Sequence, residues 1–501
     1  MSSRRFAGLV ALLAGVATAL RCIGLTAPWG ADNLGTAGGF FSIAARNYLA
    51  YGYRATGLAM VVTAEGPPSP PVFYTNHPPL VPLLVSGSFA LFGEHEWAAR
   101  IVPLVASLAS LALLTWLAAQ FYGRRVAVLT LAIATPLPLD AYLAPHVDVQ
   151  GSVLLAVVLA TVLALARRRF ALAVGCLTVG AFVDWPALYL PVLLAVAPWP
   201  FAYPRPRRFV TGLGVYAVIL FVAIASWLSG PDAVLALVRD RAFSFRADDG
   251  RAFDVAEWMR LVVGTYLYRL CTPVVLLVVV AWVVARVPAI VRRPDPDRLA
   301  LVLLLFGVVH MVVGFQGAYQ HEFWAHYLRA GVPLVCALAI ERASVRLPRG
   351  WPQIALVAGV VAGIVVPSAL ETVALARRPL SARMVDADYT PIDLARAIRE
   401  CAPSGTGALT SDWYGESATF HYARRPLAIA VMDVATLDER LRAPRWDVPG
   451  GDGRTYATPS VLPSCFVLPR VQERQFPDLA ERLRRAFPAR REGAFEVFAL
   501  R

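Results

Sequence analysis

Apolar runs approaching twenty residues recur through most of this chain, and clusters of arginine separate them. A helix of about 20 apolar residues spans the roughly 30 Å hydrocarbon core of a bilayer while satisfying its own backbone hydrogen bonds. The runs cover 6–25, 97–121, 126–139, 149–166, 170–183, 187–201, 209–228, 261–287, 299–315, 324–340 and 354–370. They predict an all-α polytopic membrane protein with about 11 transmembrane helices, several of them short for a bilayer. Composition agrees: 57% of residues are hydrophobic and only 16% charged, where a soluble chain carries about 25% charge. A soluble cytosolic enzyme is excluded. Disorder is excluded too, because the chain holds 24 Phe, 17 Tyr and 12 Trp.

A net charge of +13 would point a soluble protein toward nucleic acid. The placement of the charge points elsewhere. Arg124 with Arg125, Arg167 to Arg169, Arg205 with Arg207 and Arg208, Arg292 with Arg293 and Arg298, and Arg342 with Arg346 and Arg349 fall between alternate runs. Cytoplasmic loops of membrane proteins show this pattern, so the charge is topological and no nucleic-acid partner is expected. Counting 80–92 as a further crossing would invert the pattern, which makes that stretch a juxtamembrane helix on the outer side. The first run resembles a signal peptide, but no A-x-A site follows it, so it reads as an uncleaved first span with Arg4 and Arg5 inside. The expectation is a multi-pass protein of the bacterial cytoplasmic membrane, N-terminus cytoplasmic and C-terminus outside.

From about Arg377 the composition turns mixed and polar. β-like runs at 408–410, 465–468 and 495–500 alternate with helix-like stretches such as 479–486. The expected organisation is a membrane domain over 1–376, with a long first outer loop at 26–96, followed by a small extracytoplasmic α/β domain over 377–501. Cys22, Cys176, Cys271 and Cys336 lie in apolar runs, where a thiol packs as a small hydrophobe. Only Cys401 and Cys465 lie in polar sequence, and they pair if that domain faces an oxidising compartment. No CxxC and no Cys/His pair at zinc spacing occurs, so no structural metal is expected.

The first outer loop is the most informative segment. It opens Trp29-Gly30-Ala31-Asp32-Asn33 and continues through Ala45-Arg46-Asn47-Tyr48. It then reads Tyr74-Thr75-Asn76-His77-Pro78-Pro79-Leu80, Leu91-Phe92-Gly93 and Glu96-Trp97-Ala98-Ala99-Arg100. Over about the first 190 residues this resembles the GT-C superfamily of membrane glycosyltransferases. The likeness is to the glycosyltransferase family 39-like branch, which holds protein O-mannosyltransferases and lipid A aminoarabinose transferases. In that branch an aspartate opens the loop, a basic residue precedes Pro-Pro-Leu, and a second acid lies in the second outer loop. The resemblance implies a GT-C fold, a polyprenyl-phosphate sugar as donor, Asp32 as catalytic carboxylate and Asp148 as the second acid. It places His77 where the family has lysine and Asn33 where many members have glutamate.

The chemistry asks for the same groups. Glycosyl transfer from a lipid phosphate needs a carboxylate to orient or deprotonate the acceptor, and cations to stabilise the departing phosphate. Asp32 fits the first role; capping the helix that follows is its structural alternative. His77, held extended before proline, fits the second if protonated. Arg269 and Arg329, near outer ends of apolar runs, are candidates to grip the phosphate, against simple snorkelling. Asn33, Tyr74, His146, His321, Glu322 and His326 are candidates for the substrate pocket. His146 with Asp148, or the two histidines with Glu322, offer a divalent cation an optional site, although His321 and His326 sit at a spacing that fits one helical face poorly. Asp184 reads as a cap, Arg46 and Arg100 as structural, and Trp413, Tyr414 and His421 as packing residues of the outer domain.

No P-loop, GxSxG, HExxH or dinucleotide fingerprint appears. The reading is therefore a glycosyltransferase moving a hexose or pentose from a lipid-linked donor to a lipid, glycan or protein acceptor at the outer membrane face, with no required cofactor. A transporter or flippase is the rival, but repeated halves and interrupted midplane helices are not evident. A non-catalytic polyprenyl-lipid binding protein is the second.

Overall fold

The structure is a computed structural model of the chain. It describes residues 2–62, 73–74, 76–147, 151–196, 206–231, 234, 238, 242–246, 251–293, 295–348, 350–380, 388–412, 416–442, 447–449, 455–457 and 461–501. The first helices are α1 Ser3–Arg21, α2 Asn33–Tyr51, α3 Leu80–Phe92, α4 Glu96–Tyr122, α5 Arg124–Ala134, α6 Pro138–Ala141, α7 Gly151–Ala166, α8 Phe170–Val183, α9 Tyr189–Val196 and α10 Pro206–Ser229. There follow α11 Val255–Trp258, a π-helix Met259–Leu267, α12 Tyr268–Cys271, α13 Pro273–Arg292, α14 Arg298–Val313, α15 Phe315–Gln320, a 3-10 turn Glu322–Tyr327, α16 Leu328–Val345 and α17 Trp351–Arg377. The last are α18 Pro391–Cys401, α19 Glu416–Ala423, α20 Val434–Arg442 and α21 Pro477–Ala486. The chain falls into two compact units, Met1–Leu25 with Arg100–Leu380, and Thr26–Ala99 with Ser381–Arg501.

The first unit is helical. Among the described residues six helices are long and apolar enough to cross a membrane: Ser3–Arg21, Glu96–Tyr122, Thr211–Leu228, Pro273–Arg292, Glu322–Val345 and Trp351–Arg377. Gly151–Ala166, Phe170–Val183, Trp185–Leu194 and Arg298–Val313 are apolar but shorter. Two runs that read as single crossings are broken, and proline breaks both. The run 126–139 is divided between α5 and α6, where Pro138 opens the second piece. The run 261–287 breaks at Thr272, which stands at φ +63° before Pro273. Proline has no N–H to continue the ladder and disfavours α geometry in the residue before it, so α12 ends at Cys271 and α13 starts afresh.

The arginine clusters gather at one end of this unit. Arg125 pairs with Glu341 at 2.9 Å and donates to Ser344, and the Arg167 guanidinium lies 4.1 Å from the Trp116 ring. Tyr122 donates to the Pro296 carbonyl, and the buried Asp297 pairs with Arg286 and Arg342. Phe170 and Phe209, beside two further clusters, meet at 4.9 Å. One end of the unit is thus ringed by charge, as the alternation of the clusters predicts.

The second unit holds a five-stranded sheet in the order β4-β3-β7-β9-β8. Its strands are β3 Gly407–Thr410, β4 Leu427–Ala428, β7 Pro463–Pro469, β8 Ala489–Glu492 and β9 Phe495–Ala499; the short pairs β1 Met60–Val61 with β2 Phe73–Tyr74, and β5 Asp447–Pro449 with β6 Thr455–Ala457, lie apart from it. β3 runs parallel to β4 and β7, whereas β9 is antiparallel to β7 and β8. The two-residue strand period sorts its side chains. Cys465, Val467, Phe495 and Val497 face Leu394 and Ile398 of α18. Phe466, Leu468 and Phe498 face Leu479 and Leu483 of α21. A Cys401–Cys465 disulfide ties the end of α18 to β7.

Candidate active site

Asp32 is held by the glycines that surround it. Its Oδ1 accepts from both Leu34 N and Gly35 N at 3.0 Å, capping α2. Oδ2 accepts no hydrogen bond from the described residues and lies back over Gly30, where a Cβ would come within 2.5 Å of it. The Gly30 backbone in turn lies on Gly35, and the buried Trp29 ring lies on Gly38, so that side chains at these positions would collide. The spacing Trp-Gly-x-Asp-x-x-Gly-x-x-Gly is therefore a packing code that folds the loop onto the first turns of α2. One oxygen secures the helix, and the other accepts nothing from the described residues.

Asn33, Tyr74 and His77 belong to the same unit as Asp32. Asn33 is buried. Tyr74, on β2, meets Phe40 of α2 edge-on at 4.7 Å and stacks on His77 at 6.0 Å. α2 thus carries both groups, with Phe40 about 12 Å along its axis from Asp32 at 1.5 Å per residue. Arg46 pairs with Glu94 at 3.2 Å and donates to the His421 carbonyl. Glu94 also pairs with Arg424 at 2.9 Å. His421 is buried, and desolvation together with Arg46 and Arg424 pushes its pKa down to about 3, outweighing Glu94 at 3.7 Å.

The first unit gathers the other candidates at the end away from the arginine ring. His326 is buried against Gly151, its Nδ1 at the Phe323 carbonyl. Its ring meets Tyr327 at 4.0 Å and His310 at 5.7 Å. His310 stacks on Trp324 at 4.4 Å, and the Trp324 ring covers Gly314 and Gly317. Tyr327 donates to Asp184 at 2.8 Å, and the other oxygen of Asp184 caps Trp185. Glu322 is buried in the same turn, and His321 stacks on Phe323. His146 meets Tyr142 edge-on at 5.4 Å. Burial and the nearby Arg100 push its pKa down to about 3. Asp148 lies outside the described residues, as do Trp413 and Tyr414. Among the described residues no group of three metal-ligating side chains comes together.

The two arginines have different surroundings. Arg269 is half-exposed and pairs with Glu371 at 2.6 Å. Arg329 is 1% exposed, and its Nε, Nη1 and Nη2 are engaged by Asp140, Ser152 and Ser107. Arg21 joins the same Asp140 at 3.1 Å and the same Ser107 at 3.0 Å. Asp140 and His310 both escaped the sequence reading. A lone acid closing one apolar run and a lone histidine inside another were the available signals, since ionisable groups at membrane depth are rarely idle.

The fold has solved counterparts. ArnT from Cupriavidus metallidurans bound to undecaprenyl phosphate superimposes with a TM-score of 0.62 at 16% identity, over 100% of this chain and 98% of that one. The oligosaccharyltransferase of Archaeoglobus fulgidus superimposes with a TM-score of 0.55 at 11% identity, over 94% of this chain and 70% of the other. This chain has the GT-C fold of these two proteins. The family model of dolichyl-phosphate-mannose-protein mannosyltransferases matches residues 76–229 of it. No curated protein sequence matches significantly.

Proposed function

We propose that this GT-C chain is an integral-membrane glycosyltransferase that takes a sugar, a hexose or a pentose, from a polyprenyl phosphate and passes it to a lipid, glycan or protein acceptor. The observation that carries the reading is the fold match over the whole chain to ArnT bound to undecaprenyl phosphate. In the reaction the acceptor hydroxyl attacks the anomeric carbon, its proton passes to a carboxylate, and the lipid phosphate departs with the bonding pair. Asp32 is the proposed base or orienting group, supported by its unshared Oδ2, with Asp148 as its second acid. His77 and Arg269 are proposed to face the phosphate, which would compete with Glu371 for the guanidinium. Arg329 is assigned to holding the helices, because its donors are already engaged.

Chemistry on the outer face of the bacterial cytoplasmic membrane follows from two supports. The arginine-ringed end of the first unit suits the cytoplasm, and a disulfide suits an oxidising compartment. Incubating the purified chain with radiolabelled undecaprenyl-phosphate hexoses and pentoses tests the reading. Release of undecaprenyl phosphate from one donor supports it. Binding of the lipid with no release from any donor, across glycan, lipid and peptide acceptors, contradicts it.

A further inference from the structure

Helix α19 of the C-terminal sheet region lies directly on α2. At Gly39 of α2 a Cβ would come within 2.8 Å of the Ala418 backbone, an approach only glycine allows. The next turn of α19 carries Tyr422, whose hydroxyl is used in both directions. It accepts the backbone N–H of Trp29 at 2.8 Å and donates to Glu96 at 2.6 Å. Trp29 is buried, so this N–H needs an acceptor that water does not supply. Trp29 is also the first residue of the turn that ends in Asp32, and Gly30 between them is the surface on which Oδ2 rests. A continuous path of contacts therefore runs from Tyr422 through Trp29 and Gly30 to the carboxylate.

We infer that Tyr422 is a positioning residue for Asp32, so that the C-terminal region helps set the geometry of the acceptor-activating carboxylate. The inference rests on the function proposed above. A tyrosine hydroxyl supplies one donor and two acceptor sites, and phenylalanine supplies none. Tyr422→Phe therefore removes the hydrogen bond that ties the Trp29 N–H to α19 and frees the turn to drift. Misplacement by about 1 Å costs on the order of 100-fold in rate, so a fall in kcat of about 10- to 100-fold is expected, with the KM for donor within about twofold.

The test uses the full chain in lipid nanodiscs, with Tyr389→Phe as its partner. Tyr389 donates to Asp412 at 3.1 Å in the same unit, and the same substitution there removes a buried hydroxyl bonded to a different partner. Sugar transfer from undecaprenyl-phosphate donors is read alongside amide hydrogen exchange of residues 29–36. The expected result is a kcat loss and faster exchange in Tyr422→Phe alone. Wild-type rates and exchange in Tyr422→Phe, or equal losses in both variants, overturn the inference. Exchange is read without turnover, so a wild-type chain that transfers nothing while Tyr422→Phe still loosens residues 29–36 sinks the proposed reaction but upholds the contact path.

Discussion

Two groups of polar side chains are set among apolar helices, and they differ in what they leave open. The Arg21, Asp140 and Arg329 cluster of the first unit is almost dry, with Asp140 at 2%, and its donors end on Asp140, on serines and on backbone carbonyls. The network of the second unit, built on Tyr422, Glu96, Glu94 and Arg46, is half-buried and runs through backbone to a carboxylate with a spare oxygen. Breaking a buried charge pair strands a charge in low dielectric, so the first arrangement serves stability. The second network also holds charges, but Glu94 and Arg46 keep contact with water, so it carries less of that penalty and can serve position. Depth of burial separates the cluster that holds the helices of the first unit from the network proposed to position Asp32.

Breaking the dry cluster should give the largest effect. Asp140→Ala leaves two guanidiniums facing each other and is expected to cost about 3–5 kcal/mol. The folded fraction should keep its affinity for undecaprenyl phosphate; thermal unfolding in detergent and lipid binding by the surviving fraction check both. Normal stability, or lost binding in a well-folded protein, would move the cluster to the functional side. Next comes the disulfide of the second unit. Cys401 and Cys465 close a loop 64 residues apart, and Cys401→Ser is expected to cost about 2–4 kcal/mol. Protease nicking between 388 and 501 should rise before that of the membrane helices, and simultaneous nicking would erase the contrast.

Acid sharpens the comparison more gently. His421 and His146 have pKa values lowered in the folded state to about 3, against about 6.5 when unfolded. The folded form therefore binds the proton less well. Their share of stability is complete above about pH 6.5 and is lost as pH falls toward 3, by up to about 1.4 kcal/mol per unit for each histidine. Melting temperature should fall between pH 6.5 and 5, and His421→Phe should flatten part of that slope. An unchanged slope would mean that His421 meets water.

Much of this architecture was legible in residue order. The strands near 408, 466 and 497 and the helix at 477–486 follow from period and composition, and the arginine clusters meet at one end as their alternation predicts. The disulfide followed from the two cysteines in polar sequence. The broken crossings at Pro138 and Pro273 were readable but masked by the apolar run around each. Asp140 with Arg329, and Tyr422 with Trp29, were not readable, because partners 189 and 393 residues apart leave no local pattern. The glycines at 30, 35, 38 and 39 were visible as letters, yet their purpose, close approach by Trp29 and α19, exists only in three dimensions.

The most direct test of the account compares wild type with Asp32→Asn for initial rates of sugar transfer from an undecaprenyl-phosphate donor. Asparagine keeps an oxygen to cap α2, so melting temperature and donor affinity should hold. The account expects the rate to fall by about 10²- to 10⁴-fold, the span of general-base catalysis. Transfer within twofold of wild type would show that Asp32 only caps its helix, and that the carboxylate of this reaction lies elsewhere.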